Sequence, residues 1–507
     1  MLLWDQLGGE QMIAAAVPEA YASYRAPIAA AVRFFVESLP GPRAIAILAE
    51  QMVLGPSAGA SERLMELARS CPVLHKLGQV LARDRRLDPG LRAELQRLES
   101  MEPEVPMEAI RALIEQDLGP LEPQGLALEP TALAEASVAV VVPFRYREGS
   151  AAGPGPGRGV FKVLKPGIEE RLDQELALLE DVGAFLDERC AEFGIPPLDY
   201  QDIFAQVRER LGHEVRLDIE QRHLASALEA YEGWEATVRI PRPLPWSSRR
   251  ITAMERIDGR KVTEGGALAR VDRGRLARRI VEALIAHPLW STAPSALFHA
   301  DPHAGNLLVT DDGRLGILDW SLAGTLGKRE REAMGQVLQG ALMLDARPIL
   351  EALRSLSSRA VAGPALDQVV AKHLRQVGRG HLPGFTWMMG LLDEAVQEAR
   401  LRVGADLMMF RRVLLMLEGV LADVEGGGGP DLDAILIASF VRQLVGEWPG
   451  RALALPRSRA FGTHLSNADL MQLALTLPWT TARVGLDWWQ EVLAPGQADA
   501  SFPACSP

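Results

Sequence analysis

Three polar residues near the middle of the chain have the types and the spacing that phosphoryl transfer requires. Asp301 and Asn306 are five positions apart, which is the D-x-x-x-x-N spacing of phosphoryl-transfer catalytic loops. Asp319 follows in a Leu-Asp-Trp-Ser sequence. Because Mg²⁺ prefers oxygen ligands, the amide oxygen of Asn306 and the carboxylate of Asp319 suit it. Asp301 would accept or orient the proton of the attacking hydroxyl group.

The segment between Asn306 and Asp319 predicts a β-hairpin that returns the chain to its starting point. Residues 307–309 are apolar, the Asp-Asp-Gly sequence at 311–313 favours a turn, and residues 315–318 form the second arm. A hairpin of this length would bring Asp319 beside Asn306. The simplest alternative is a surface hairpin with solvated acids, which leaves the spacing of the polar residues unexplained.

A metallohydrolase site is a second alternative for the same stretch. His299, Asp301 and His303 alternate along the sequence as metal ligands do on a strand. Pro302 disrupts a regular strand, however. A metal site of this kind would also leave the asparagine and the second aspartate without a role.

Two short sequences in this region carry a family resemblance: F-H-A-D-P-H-A-G-N at 298–306 and L-D-W at 318–320. They resemble the UbiB-type (AarF-like) family of atypical kinases. The resemblance implies an α+β, two-lobed protein-kinase-like fold with a small β-rich N-lobe, a helical C-lobe and an added N-terminal helical extension. It also implies ATP and Mg²⁺ as cofactors and a role that supports lipid or isoprenoid-quinone metabolism.

The strand sequence at 160–167 resembles the family's V-K-V-x-[KR]-P-G. The resemblance makes Lys162 the lysine that pairs with the α- and β-phosphates of ATP, and it makes Lys165 a surface neighbour. Glu220 matches the last position of the family's E-x-D-x-x-x-E pattern and is therefore the expected partner of Lys162.

The same acidic pattern is altered at its third position. Glu214 matches the first position, where it would face the N-terminal extension near Lys76, but Arg216 replaces the acidic residue two positions later. Within the extension, Lys76 and Gln79 match the family's K-x-G-Q motif. In the family the extension folds over the active site, so both residues are expected to approach the nucleotide.

The nucleotide itself is expected to meet small residues and a hinge strand. Ala134, Ala136 and Ser137 resemble the family's Ala-rich loop, in which small side chains let backbone N–H groups approach phosphates. Met254 and Glu255 end a strand that looks like a kinase hinge, so backbone groups near 254–256 would meet adenine.

Three departures from ordinary protein kinases bear on the phosphoryl acceptor. Ala300 stands where many protein kinases have the arginine that reads an activation-loop phosphate, and no A-P-E sequence follows Asp319. Ser321 replaces the glycine of D-F-G and is expected to stiffen the loop. A peptide acceptor is therefore less favoured than ATP hydrolysis or an unknown lipid or small-molecule acceptor.

Two further hypotheses remain open on the sequence. A small-molecule phosphotransferase of the aminoglycoside- or choline-kinase type also uses H-x-D-x-x-x-x-N. A non-catalytic nucleotide-binding scaffold would explain why Arg216 and Ser321 depart from the family pattern.

The composition excludes several classes of protein. The 507 residues have a net charge of −12 and a pI near 5.4, which argues against nucleic-acid binding. Three scattered cysteines suggest neither a disulfide framework nor a zinc site. The N-terminus lacks the basic region of a signal peptide, and no apolar run reaches the roughly 18–20 residues of a membrane span. We expect a cytoplasmic protein with possible peripheral membrane contact.

The helical and strand patterns suggest five segments. Long helices are predicted at 168–190 and 199–231, and the end of the chain is rich in Pro, Ala and Ser. The predicted organisation is an N-terminal helical region at 1–60, the helical extension at 61–127, the N-lobe at 128–255, the C-lobe at 256–450 and an accessory or frayed tail at 451–507.

Overall fold

The structure is a computed structural model. It describes residues 4, 8–17, 19–55, 57–81, 105–147, 155–196, 199–212, 215–268, 271–357, 363–426 and 432–479. The chain divides into two compact units. Unit 1 comprises Met1–Leu228, Ile240–Asp258 and Asp319–Ser321, and unit 2 comprises Glu229–Arg239, Gly259–Leu318 and Leu322–Pro507.

Helices and strands are both well represented, as the prediction of a mixed α+β fold requires. The α-helices are α1 Gly9–Ala16, α2 Arg25–Glu37, α3 Gly41–Val53, α4 Ala60–Ser70, α5 Pro72–Leu81, α6 Met107–Leu118, α7 Ile168–Phe193, α8 Tyr200–Gly212, α9 Leu217–Ala230, α10 Gly265–Leu268, α11 Arg273–Val281, α12 His287–Leu289, α13 Lys328–Leu342, α14 Ala346–Leu356, α15 Gly363–Gly378, α16 Phe385–Glu398, α17 Ala405–Glu425 and α18 Leu432–Arg451. The strands are β1 Leu126–Leu128, β2 Ala134–Glu135, β3 Ala139–Tyr146, β4 Gly157–Leu164, β5 Val238–Arg239, β6 Ile251–Glu255, β7 Gly259–Lys261, β8 Ser295–His299, β9 Leu307–Thr310, β10 Leu315–Ile317 and β11 Ala323–Gly327.

Unit 1 contains an antiparallel sheet in the order β1-β3-β4-β6, with β2 paired to β3. Strand β4 alternates in the way that a sheet with one packed face requires. Phe161 and Val163 are buried among the apolar residues of the sheet and of α6, so the side chain of Lys162 points to the opposite face.

The N-terminal helices of unit 1 pack on α7. Apolar residues recur along α7 at helical spacing, and they form one core with side chains of α2, α3 and α4. Gly167 and Gly194, both with φ near +65°, bound this helix at its two ends. The predicted helix at 168–190 is thus confirmed and slightly longer.

The pattern at 199–231 forms two helices rather than the single predicted one. The first, α8, ends at Gly212 and α9 begins at Leu217. Glycine is a poor helix former, and Asp218 and Glu220 in the first turn of α9 favour a new helix N-terminus there. The spacing of apolar residues did not show this break, because both helices are amphipathic.

Unit 2 contains a four-stranded sheet in the order β5-β10-β9-β7, a two-stranded β8–β11 sheet and the helices from α10 onward. Phe298 of β8 meets Phe410 of α17 edge to face, with ring centroids 5.2 Å apart. Within the described ranges, no helix combines the length and the apolar character needed to cross a bilayer.

The chain stays packed beyond residue 450, as far as Leu465. Arg451 is buried, its Nη2 donates to Glu447 Oε2 at 2.7 Å, and its Nη1 donates to the Leu465 carbonyl at 3.1 Å. His464 bonds to the Leu289 carbonyl at 2.8 Å. These polar bonds hold 451–465 within unit 2, which overturns the expectation of fraying there; residues 480–507 lie outside the described residues.

Candidate functional site

Strand β4 places Lys162 against two carboxylates within unit 1. Its Nζ lies 3.0 Å from Glu220 and 3.0 Å from Asp319 Oδ1. The Lys162–Glu220 contact is the one that the resemblance predicted. Lys162 also contacts Asp319, which the sequence analysis had assigned to the metal.

Burial and charge set the protonation of this cluster. Burial disfavours the Lys162 ammonium, but Asp319 and Glu220 outweigh it and hold the lysine pKa above its ordinary value. Removal from water would raise the pKa of Asp319, but Lys162 and the Ser321 N–H lower it well below the usual range. For Glu220 burial prevails: its pKa rises to about 7, opposed by Lys162 and reinforced by Asp319. Of the three groups, Glu220 is the one whose pKa burial moves towards neutrality.

The backbone around Asp319 is fixed locally. Asp319 has φ of 49°, a left-handed conformation that aspartate tolerates better than most residues. The N–H of Ser321 donates to Asp319 Oδ1 at 3.2 Å. A glycine could donate the same bond, so the expected stiffening by the serine stays a prediction. Trp320 is buried, and its carbonyl accepts from His223 Nδ1 at 3.1 Å.

Asp301 and Asn306 lie in unit 2, in the loop that follows β8. Asn306 is buried in a 3₁₀ turn, and its Nδ2 donates to the Asp301 carbonyl at 3.1 Å. That bond fixes the amide, so Oδ1 points away from the Asp301 carbonyl. The oxygen donors of Asn306 and Asp319 are of the hard type that Mg²⁺ takes.

His299 ties this loop to the following hairpin. Its Nδ1 accepts from the Asp301 N–H at 3.2 Å, and its Nε2 donates to the Leu318 carbonyl at 2.9 Å. A carbonyl can only accept and a backbone N–H can only donate, so the ring is neutral with its proton on Nε2. Both nitrogens are occupied, which removes His299 as a metal ligand. Within the part of the chain that the structure describes, no group of three His, Cys, Asp or Glu could hold a metal ion.

The predicted hairpin is confirmed. Strands β9 and β10 are antiparallel, with Leu307 opposite Ile317 and Val309 opposite Leu315. The N–H of Leu318 donates to the Asn306 carbonyl at 2.8 Å. The residue directly before Asp319 is therefore hydrogen-bonded to Asn306.

The chain after Ser321 returns at once to a sheet. Strand β11 pairs with β8 residue for residue, from Ala323 opposite His299 to Gly327 opposite Ser295, and α13 begins at Lys328. Ala300 also donates its N–H to the Leu322 carbonyl at 3.1 Å. Because the pairing uses most of this short stretch, none of it can form a separate peptide-binding platform.

Comparison with known proteins places the chain in a family. Residues 97–353 match the ABC1 atypical kinase-like domain, which is about half of the chain. The chain belongs to the ABC1 atypical kinase-like family. The resemblance drawn from 298–306 and 318–320 is therefore confirmed, and with it the kinase-like character of the fold.

Two relatives have names that contain UbiB or aarF, the two names used for the family in that resemblance. A probable protein kinase UbiB of Marinobacter nauticus is 27% identical over 422 residues, which is 78% of this chain and 72% of that protein. An uncharacterised chloroplastic aarF domain-containing protein kinase of Arabidopsis thaliana is 33% identical over 266 residues, which is 51% of this chain and 47% of that protein. The chain thus spans about half the length of the Arabidopsis relative.

One solved structure is similar at a lower level. It is the complex of a Mycobacterium tuberculosis protein with erythromycin, at 18% identity and a TM-score of 0.48 over 66% of this chain and 82% of that one.

At family level the names of the family and of the UbiB relatives support a kinase-type phosphotransferase. They do not favour the aminoglycoside- or choline-kinase alternative, nor a non-catalytic scaffold.

In this ABC1 chain the small-residue loop is a tight hairpin between β2 and β3. Ala134 lies opposite Val141, the Ala136 N–H donates to the Ala139 carbonyl at 2.8 Å, and Ser137 is buried in the turn. Between them, Glu135 forms a 2.6 Å ion pair with Lys165. Lys165 is therefore a partly buried partner of this loop rather than the expected surface neighbour.

The hinge strand uses some of the backbone groups that were expected to meet adenine. Met254 lies opposite Val160. The N–H groups of Glu255 and Arg256 donate to the carbonyls of Arg242 and Arg158, at 2.8 and 3.2 Å. Those two N–H groups are therefore not available to a base, because strand pairing continues to the end of β6.

The K-x-G-Q motif lies on α5, which is anchored to α7. The Val73 N–H donates to Glu175 Oε2 at 2.9 Å, and Arg43 contacts Glu175 Oε1 at 2.6 Å. Lys76 is partly buried on this helix. The side chain of Gln79 and the whole of Glu214 lie outside the described residues, so their expected approach to the nucleotide and to Lys76 stays a prediction.

Arg216 is engaged with its own neighbour. It donates to both carboxylate oxygens of Asp218, at 2.8 and 3.0 Å, and holds the pKa of Asp218 well below its usual range. The sequence analysis missed this pair, as it missed the anchor at Glu175 and the tautomer of His299. Only the adjacency of Arg216 and Asp218 could have been read from the sequence.

Proposed function

We propose that the protein is an ATP-dependent phosphotransferase or ATPase of the UbiB type that binds Mg-ATP. The contact of Lys162 with both Glu220 and Asp319, at 3.0 Å each, carries this proposal. A lysine held between a helix glutamate and the acidic residue of a metal loop is the arrangement that kinase-type nucleotide binding uses.

Each of the predicted site residues has a proposed role. Lys162 contacts the phosphates, and Glu220 positions it. Asn306 and Asp319 hold Mg²⁺, which neutralises charge on the transferring group, and Asp301 accepts or orients the proton of the nucleophile. The residues proposed to surround the rest of the nucleotide are Ala134, Ala136, Ser137, Met254, Glu255, Lys76 and Gln79.

The charge balance of the cluster supports a cation. Two carboxylates face one ammonium, and Asp319 is more than a third exposed. When both carboxylates are ionised, the cluster carries negative charge that a divalent ion would compensate.

The acceptor is proposed to be water, a lipid or another small molecule rather than a peptide. The support is the direct pairing of β11 with β8, which leaves no extended segment after Ser321. The resemblance to the UbiB-type family supports a role in lipid or isoprenoid-quinone metabolism, and peripheral contact with a membrane is part of the same proposal.

The test is Mg²⁺-dependent ATP binding and hydrolysis by the wild type, Asp319→Asn and Lys162→Ala, with Lys328→Ala as a control at an exposed lysine. We expect wild-type binding that requires Mg²⁺, and a loss of about tenfold or more in both site variants. A folded wild-type protein that binds no nucleotide would overturn the proposal.

A further inference from the structure

The N-terminal helices of unit 1 line an apolar cavity of about 300 Å³ that is partly open at the surface. It lies among α2, α5, α7 and α8. Every residue that lines it is aliphatic or aromatic, including Ala31, Val32, Phe35, Val73, Leu179 and Val182. Protein interiors are close-packed, and voids larger than a water molecule are few. A cavity of this size is therefore an exception within an otherwise packed core.

The lining excludes polar occupants. Among the described residues that line it, none is charged, and Tyr24 and Tyr200 are the ones with a hydroxyl group. The Tyr200 hydroxyl donates to the Pro196 carbonyl at 3.0 Å. A buried water needs two to four polar partners, which this wall does not offer, so the cavity favours an apolar occupant.

The cavity has an entrance beside the start of α2. Tyr24 is 41% exposed and Ile28 is 37% exposed, whereas Phe35 and Val73 at the inner wall are buried. An occupant would pass from a partly solvated rim with one phenol ring to a wholly apolar interior. That gradient suits a molecule with a polar end and a hydrocarbon chain.

One wall of the cavity belongs to residues that precede the family match. Residues 24–74 contribute α2 and α5, while the ABC1 match begins at 97. The opposite wall, on α7 and α8, lies within the match. The cavity is therefore formed jointly by the matched domain and by a segment outside it.

We propose that this cavity binds the hydrocarbon chain of a single lipid molecule, whose polar end lies at the rim beside Tyr24. The site is separate from the Lys162 cluster in its residues and in its chemistry. The proposal does not depend on nucleotide binding.

The test uses cis-parinaric acid, a fluorescent fatty acid, with the full-length chain and without nucleotide. Ala31→Phe fills the cavity from α2, and Ala31→Leu does so more mildly. Ala46→Phe is the matched control, because Ala46 is exposed on α3 and does not line the cavity. Displacement by 1-dodecanol shows whether the chain rather than the carboxylate is recognised.

We expect saturable binding by the wild type and Ala46→Phe, displacement by dodecanol, and affinity lowered by about tenfold or more in Ala31→Phe. The thermal midpoint of Ala31→Leu should equal or exceed that of the wild type, because an empty cavity is being filled. Unsaturable uptake, or equal binding by Ala31→Phe, would overturn the proposal. So would absence of binding with a lowered midpoint in Ala31→Leu, which would mean that another part of the chain fills the space.

Discussion

Glu220 and Glu175 of unit 1 are both buried and both face a cation, but they differ in what surrounds them. Glu220 meets Lys162, which also contacts Asp319. Glu175 meets Arg43, which also donates to the Ser70 carbonyl at 3.0 Å, and it accepts from the Val73 N–H. Burial raises the pKa of both glutamates to about 7. A perturbed pKa therefore does not by itself distinguish a functional site from a structural one.

The difference lies in charge balance and exposure. At Glu175 one carboxylate meets one guanidinium and a backbone donor, and its side chain is fully buried. At Lys162 two carboxylates share one ammonium, and Asp319 is partly open to solvent. The first arrangement is complete and anchors α3 and α5 to α7. The second has one more carboxylate than it has cations, and it is accessible to a ligand.

The largest predicted effect is on activity, at the incomplete cluster. Lys162→Met removes the ammonium but keeps an unbranched side chain, so we expect a loss of about 10²–10³-fold in ATP turnover. Steady-state hydrolysis measures it, with Lys328→Met as the control. Full ATP turnover by a folded Lys162→Met variant would show that the Glu220 site is no more involved in activity than the Glu175 site.

The opposite result is expected at the complete cluster. Arg43→Met leaves the Glu175 carboxyl group buried without its cation, which should lower the free energy of unfolding by about 3 kcal/mol. ATP affinity of the folded fraction should be unchanged. Urea denaturation measures the loss, and Arg33→Met, which breaks an exposed pair with Glu37, should lose no more than about 0.5 kcal/mol. Equal losses in the two variants would contradict an anchoring role for Arg43.

A pH series sharpens the comparison further. The raised pKa of Glu175 means that the folded state holds its proton more tightly than the unfolded state. Its contribution to stability is therefore present below about pH 4.5 and is lost as the pH rises to about 7. Glu175→Gln cannot titrate at this position. The difference in the free energy of unfolding between the variant and the wild type should therefore move in favour of the variant by about 2 kcal/mol from pH 5 to pH 8. Parallel stability curves for the two proteins would show that Glu175 does not titrate in this range.

The smallest expected effect concerns the loop that presents Asp319. Ser321→Gly keeps the N–H that donates to Asp319 but makes the backbone freer. We expect Mg-ATP affinity to fall by only about two- to fivefold, at less than about 1 kcal/mol. Calorimetric titration measures it, with Ser70→Gly as a control away from the cluster. A tenfold or greater fall would mean that the serine side chain itself acts at the site.

Local patterns in the sequence were enough to predict several elements. The Asp-Asp-Gly turn fixed the β9–β10 hairpin, and the spacing of apolar residues predicted α7. The spacing of Asp301, Asn306 and Asp319 indicated phosphoryl-transfer chemistry, and the motifs at 298–306 and 318–320 resemble the family to which the chain belongs. The break between α8 and α9 was not foreseen, although Gly212 marks it locally. The packing of 451–465 was not foreseen because it depends on contacts with residues distant in sequence, such as Leu289.

By itself the sequence determined which chemical groups are available: a strand that carries a lysine, a helix that carries glutamate, and a loop and hairpin with hard oxygen donors. These follow from residue types and short-range spacing, which strand alternation and turn preferences convert directly into local structure. Only the tertiary structure decided that Lys162 lies between Glu220 and Asp319, which are 58 and 157 positions away. It alone decided that His299 is neutral and that Glu175 is an anchor. Burial and distances between residues far apart in sequence set protonation and pairing, and neither can be read from a local pattern.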